Sequence, residues 1–243
     1  MNLIIDIGNT VAKLAVFQKS ELLQKVVIEQ ADISEGTINL FQKFPNIDKV
    51  VVSNVSSAKF ELPESLQDQV KMLELSVATP LPFKNHYATP ETLGNDRKAL
   101  VAAAVRQHPG KNVLVIDAGT CITYDFKNAA DEYLGGGISP GLKMRFLALN
   151  SFTAKLPLVE VNTPHGLIGD STETSISSGV LNGTLLEIEG IIHSYSTRYN
   201  NLITIITGGD ASFLSINLKN GIFANSNFLL EGLNYILEFN IDQ

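Results

Sequence analysis

Leu3-Ile4-Ile5-Asp6-Ile7-Gly8-Asn9-Thr10 near one end of the chain returns as Leu114-Val115-Ile116-Asp117-Ala118-Gly119-Thr120. In each copy an apolar run of strand length closes on a carboxylate, and glycine and threonine follow. A second apolar or alternating run comes next, residues 11–17 in the first copy and 122–126 in the second. Two β-hairpins are the expected product. The carboxylate ends the first strand, and glycine gives the turn backbone angles that other residues avoid.

Turns of this kind expose amides, hydroxyls and a carboxylate at a strand end. Facing each other across a cleft, two of them would hold a polyanion and its metal ion. The duplication therefore reads as a nucleotide-handling enzyme of two domains, with a boundary at Pro109-Gly110-Lys111-Asn112 that divides the chain into residues 1–110 and 111–243. With 243 residues and 44% hydrophobic content, each half has enough apolar material for a core.

Charge narrows the class of partner. A net charge of −7 and a pI near 5.1 argue against a protein that coats nucleic acid or an anionic membrane. Small molecules are expected instead, with cations and oriented amides offsetting any phosphate charge. Cys121 is the only cysteine, so a disulfide-stapled secreted fold is excluded. The opening residues lack the basic flank and apolar stretch of a secretory signal, and no run has the length needed to span a bilayer. A soluble cytoplasmic protein is expected.

Between the hairpins the pattern predicts a short strand at residues 26–28, a helix over 33–44, a strand at 49–52 ending in small polar residues, a helix over 62–72 and an edge strand at 73–75. Residues 96–107 are alanine-rich and helical. In the second half Gly135-Gly136-Gly137-Ile138-Ser139-Pro140-Gly141 reads as a loop pressed against something. Helices are expected over about 142–151, 172–199 and 228–239, with a buried strand at 203–207 leading into Gly208-Gly209-Asp210. The last helix should pack back on the core.

Three groups of residues carry chemistry. Asp6 with Gly8, Asn9 and Thr10 can cradle phosphates and hold hydrated Mg²⁺; the plainer reading is an ordinary hairpin turn, which the second copy at Asp117, Gly119 and Thr120 weakens. Tyr87 followed by Gly94-Asn95-Asp96-Arg97 can place a carboxylate at a helix start and a guanidinium beside it, although Asn and Asp are also common helix caps. The glycines at 135–137 and 208–209 allow close approach of a ligand, or make tight turns. They match neither a Rossmann fingerprint nor a Walker loop. His86, His108, His165 and His193 show no metal-ligand spacing.

With these motifs in order, the chain resembles the type III pantothenate kinases of the acetate and sugar kinase, Hsp70 and actin superfamily. The likeness runs end to end through Asp6-Ile7-Gly8-Asn9-Thr10, Tyr87, Gly94-Asn95-Asp96-Arg97, Asp117-Ala118-Gly119-Thr120, the triple-glycine segment and Thr172. The resemblance implies an α/β fold of two RNase H-like, actin-like ATPase domains, each a mixed five-stranded sheet with flanking helices and the ligand cleft between them. It implies ATP-dependent phosphorylation of pantothenate, the first step of coenzyme A biosynthesis, by a cytoplasmic homodimer.

Carried onto this chain, the resemblance gives Asp6, Ile7, Gly8, Asn9, Thr10, Val11, Ala12, Lys13 and Thr120 to ATP, and Tyr87, Gly94, Asn95, Asp96, Arg97 and Thr172 to pantothenate. Asp96 accepts the substrate proton, Asp6 positions Mg²⁺ through water, and Asp117 holds a monovalent cation, K⁺ or NH₄⁺. Two positions depart from the family's usual pattern: Asn95 stands where Ala or Val is frequent, and Val11-Ala12 where polar residues are. Another small-molecule kinase of the superfamily and a non-catalytic nucleotide-binding regulator are the alternative readings.

Overall fold

Both hairpins form, because each apolar run can bury its alternate side chains only by pairing with a neighbour. The structure is a computed structural model that describes residues 1–8, 11–56, 60–160, 166–219 and 221–241. In chain order it holds β1 (Asn2–Ile7), β2 (Val11–Gln18), β3 (Glu21–Glu29), α1 (Ile33–Lys43), β4 (Lys49–Asn54), α2 (Glu64–Gln67), β5 (Lys71–Glu74), β6 (Lys84–Asn85) and α3 (Asn95–Gln107). There follow β7 (Val113–Ala118), β8 (Cys121–Lys127), β9 (Glu132–Pro140), α4 (Leu142–Ser151), α5 (Thr172–Arg198), β10 (Ile203–Thr207), α6 (Ala211–Asn217), β11 (Phe223–Ala224) and α7 (Phe228–Ile241).

The first compact unit comprises Met1–Pro109, Asp131–Tyr133 and Asn227–Gln243. Its five-stranded sheet has the order β3-β2-β1-β4-β5. The pairs β1–β2 and β2–β3 are antiparallel, while β1–β4 and β4–β5 are parallel. Leu3, Ile5 and Ile7 pack with Leu14, Val16, Val50 and Val52 against Ile33, Leu40 and Phe41 of α1. Each such side chain taken fully from water contributes roughly 1.5–3 kcal/mol. By strand alternation Asn2, Ile4 and Asp6 share the opposite face, where α7 packs on β1 and β4 and Asn2 donates to Asn234 at 2.7 Å.

Helix α3 lies against α7 and is buried from Arg97 to Val105. A methyl group at Gly232 would run into the carbonyl of Ala99, so glycine lets the two helices approach this closely. The final helix, expected over 228–239, thus belongs to the first unit, which a single cut at 110/111 does not describe.

The second compact unit comprises Gly110–Ala130 and Leu134–Ser226. Its strands belong to a six-stranded sheet of order β11-β10-β7-β8-β9-β6, one strand more than the five expected, because β6 of the first unit pairs with the opening residues of β9. One face of β7 and β8, formed by Leu114, Ile116, Ile122, Tyr124 and Phe126, packs on α4, α5 and α6 through residues such as Phe146, Leu181, Ile188 and Leu214. Helix α5 starts with a capping box, the Ser171 hydroxyl accepting from Thr174 N–H and Thr174 Oγ1 accepting from Ser171 N–H at 2.9 Å.

Three local expectations change. The helix over 62–72 shrinks to α2, and the edge strand expected at 73–75 forms as β5 but starts two residues earlier, at Lys71, because parallel pairing with β4 offers the backbone a ladder. The strand at 26–28 is the end of a longer one, Glu21–Glu29. The glycine-rich loop is the strand β9. A side chain at Gly136 would collide with the carbonyl of Tyr124, so glycine serves close backbone approach within that sheet.

Candidate active site

In the first unit the site is built on the ends of β1 and β4 and the start of α3. Asp6 lies opposite Lys13 on β2 and Ser53 on β4. Its side chain is only 6% exposed, and the Ser53 hydroxyl donates to Oδ1 at 3.2 Å. Burial raises the Asp6 pKa; the nearby Lys13 and the Ser53 hydrogen bond oppose that shift, and the Asp96 carboxylate adds to it. Gly8 N–H donates to Val11 O at 3.1 Å, and Gln30 Nε2 donates to Gly8 O at 2.5 Å, which fixes the near side of the turn. Ile7 and Ala12 are wholly buried. Asn9 and Thr10 lie outside the described residues, as does His165.

Helix α3 begins after Gly94, which takes the cap position without a side-chain cap. Neither Asn95 nor Asp96 is therefore the cap; both sit in the first turn. Asp96 Oδ1 accepts from Arg97 N–H at 2.8 Å, and a methyl group at Gly94 would occupy the space of that carboxylate. Arg97, 5% exposed, places its guanidinium 5.4 Å from the Tyr87 ring centre and donates from Nη1 to Tyr87 Oη at 3.4 Å. The charge of Arg97 is thereby held on an aromatic face, an arrangement that aims a fork of N–H donors in one direction. Tyr87, Gly94, Asp96 and Arg97 thus come together, and Asp96 lies within electrostatic range of Asp6.

In the second unit Asp117 lies opposite Thr123 on β8 and Thr207 on β10. Gly119 N–H donates to Cys121 O at 2.9 Å to close the turn. Gly141 presses against the backbone of Gly119 and Thr120, its N–H donating to Thr120 O at 3.2 Å. Gly208, at φ 97°, presses against Ala118 O and Asp117 Oδ1. All three glycine-bearing segments therefore meet at this turn. Thr120 is exposed. Thr172 opens α5, where it lines a cavity of about 1240 Å³ together with Pro140, Arg145, Phe152 and Ile176.

A carboxylate such as that of Asp6 is the kind of oxygen donor that a hard cation takes. Among the described residues no three His, Cys, Asp or Glu side chains gather into a direct metal cage. Asp6 offers a buried carboxylate whose charge is penalised by desolvation, a penalty that hydrated Mg²⁺ would relieve. Asp117 Oδ1 and Ala118 O both lie close against the backbone of Gly208, and Ala118 O accepts from Asp210 N–H at 2.9 Å.

Two residues escaped the sequence reading. Ser53 is signalled only by β4 emptying into small polar residues. Tyr133, wholly buried, stacks on Tyr87 with ring centres 6.0 Å apart, and nothing in its local pattern marks it.

The profile of the family described as type III pantothenate kinase matches residues 2–194. The type III pantothenate kinase of Christiangramia forsetii is 58% identical over 243 residues, covering 100% of each chain. Among solved structures, a Campylobacter jejuni protein described as a Baf family transcriptional activator superposes with a TM-score of 0.60 at 23% identity, covering 99% of this chain and 100% of that one. A glucokinase from an Antarctic psychrotroph gives 0.56 at 14% identity, covering 98% of each. At such identities the structural likeness speaks for the fold alone, that of the actin-like ATPases. The profile match and the full-length relative carry the rest: the chain belongs to the type III pantothenate kinase family.

Proposed function

We propose that this chain transfers the γ-phosphoryl group of ATP to the primary hydroxyl of pantothenate. The observation that carries the reading is the start of α3, where Asp96 and a buried Arg97 braced on Tyr87 stand within electrostatic range of Asp6. In the reaction an oxygen–phosphorus bond forms from the pantothenate hydroxyl to the γ-phosphorus, and the bond from that phosphorus to the β–γ bridging oxygen breaks. The hydroxyl proton passes to Asp96. A loose transition state leaves the protein chiefly to position the reactants and neutralise charge.

Arg97 pairs with the substrate carboxylate or the moving phosphoryl group, and Tyr87 fixes the direction of that guanidinium. Backbone amides of the turn after Asp6, together with Lys13, hold the phosphates, while Thr120 adds a nucleotide contact and Thr172 a contact to pantothenate. Mg²⁺ at Asp6 and a monovalent cation at Asp117 supply the positive charge that an acidic chain lacks. The protein works as a cytoplasmic homodimer in this reading, with the long helices of the two copies meeting.

A coupled assay of ADP release with ATP, Mg²⁺ and pantothenate tests the proposal. Asp96→Asn keeps the fold and much of the substrate binding and loses turnover by about 10² or more, the range for a lost acid–base group. Turnover near that of the unaltered protein would remove Asp96 from the role.

A further inference from the structure

Lys98 lies on the first turn of α3 and is 3% exposed. A buried ammonium is costly unless its protons find acceptors. Its partners are Asn95 Oδ1 at 3.1 Å and the carbonyl of Ser76 at 3.3 Å, and burial lowers its pKa. Asn95 in turn donates from Nδ2 to the carbonyl of Leu75 at 3.1 Å. The side-chain amide expected to meet pantothenate is thus engaged at both ends within the protein.

The segment that Lys98 and Asn95 grip is itself anchored. Leu75 N–H donates to Val52 O on β4 at 2.9 Å, and the residue after Val52, Ser53, donates to Asp6. Ser76 is held by its own turn, its N–H donating to Thr79 Oγ1 at 3.0 Å. One run of hydrogen bonds and covalent links therefore joins Asp6 to the turn that bears Asp96. We propose that Asn95 and Lys98 are positioning residues for phosphoryl transfer, a bracket that clamps the start of α3 to residues 75 and 76 and holds Asp96 in place relative to Asp6. The proposal rests on the reading of Asp96 as the proton acceptor. It also gives Asn95 a use that a small apolar residue at that position, with no amide to lend, could not serve.

The test compares Lys98→Met, Asn95→Ala, the double variant and Asp96→Asn in the full-length protein, by steady-state kinetics and thermal melting. Misplacing a reacting group by a fraction of an ångström lowers kcat more than ground-state binding. Each single variant is expected to lose about tenfold in kcat, with the KM for ATP within about twofold. Lys98→Met keeps its melting temperature, because an apolar chain of similar length replaces a buried charge. The double variant loses no more kcat than the worse single one, since either change opens the same bracket. Additive losses overturn the shared bracket, as does a Lys98→Met protein that melts early and retains kcat per folded molecule. Asn95→Ala and Lys98→Met at full kcat with Asp96→Asn inactive overturn the bracket alone. Asp96→Asn at full turnover overturns the Asp96 reading and the bracket with it.

Discussion

The turn after β1 and the turn after β7 share a sequence pattern and a topology, yet they place their carboxylates in different surroundings. Each central strand has an antiparallel partner on one side, β2 or β8, and a parallel one on the other, β4 or β10. Each aspartate sits beside a hydroxyl on its parallel neighbour, Ser53 for Asp6 and Thr207 for Asp117. Asp6, however, is buried, hydrogen-bonded by Ser53 and close to Lys13 and Asp96. Asp117 is half-buried and shares its space with the backbone of Gly208 and the carbonyl of Ala118. Duplication supplied two similar corners, and the neighbours of each corner decide what it can hold. The first holds a desolvated carboxylate, and the second a wetter one packed against the backbone of a glycine turn.

The largest test of that division is to neutralise each aspartate in turn. Asp6→Asn is expected to lower turnover by about 10²–10³, the scale of losing one preorganised electrostatic contact in a water-poor site. It should also melt a few degrees higher, because a penalised buried charge has gone. Asp117→Asn should lose only about tenfold, as expected for a wetter contact worth ~1–2 kcal/mol. Its activity should become indifferent to the exchange of K⁺ for Na⁺. Steady-state rates in both salts, with melting curves, check the pair. Equal losses, or a larger loss at Asp117, would break the division.

A smaller effect comes from the glycines. A methyl group at Gly208 meets the backbone carbonyl of Ala118, and φ there is 97°. Gly208→Ala should cost about 1–3 kcal/mol, since neither backbone nor dihedral can yield cheaply. At this chain length each kcal/mol is read as roughly 2–4 °C of melting temperature. Gly119 has open space around a new Cβ. Gly119→Ala should leave stability within about 0.5 kcal/mol, so that any loss of ATP affinity reports on the ligand and not on the fold. Melting temperatures in the opposite order would show that the room beside Asp117 is not set by Gly208.

The sequence made the two corners legible because their signal is local: alternation, a carboxylate, a turn residue. It was weaker wherever long-range pairing decides. The stretch at 62–72 has helical spacing, but β5 gains more by extending the sheet beside β4. Gly135-Gly136-Gly137 reads as a loop until Tyr124 is seen to lie against Gly136. The amphipathic pattern of α7 foretells a buried face without saying which core receives it, and Asn2–Asn234 is a contact across 232 residues. In the site, Asp96 and Arg97 were legible as residue types. The stacking of Tyr133 on Tyr87 and the partners of Lys98 were not, because they depend on elements brought together from distant parts of the chain.

The smallest expected effect separates the corners by pH. The Asp6 pKa is raised above its ordinary 3.8, chiefly by burial, so between that value and the folded one the native chain binds more protons than the unfolded chain. The stability that protonated Asp6 contributes is fully present below 3.8 and is lost as pH rises through the folded pKa. Asp6→Asn has no such loss, so its melting temperature should match that of the unaltered protein in acid and exceed it by a margin that grows to a plateau towards neutral pH. Asp210, after Gly208-Gly209 in the second corner, is also raised by burial, but it is partly exposed and solvent screens its charge. Asp210→Asn should show the same sign with a smaller margin. Melting curves at half-unit pH steps decide the order. A margin at Asp210 equal to that at Asp6 would mean that burial does not distinguish the corners. The expected order would mean that the chain keeps an ionised carboxylate at Asp6 against its own stability, as a charge destined for a cation would be kept.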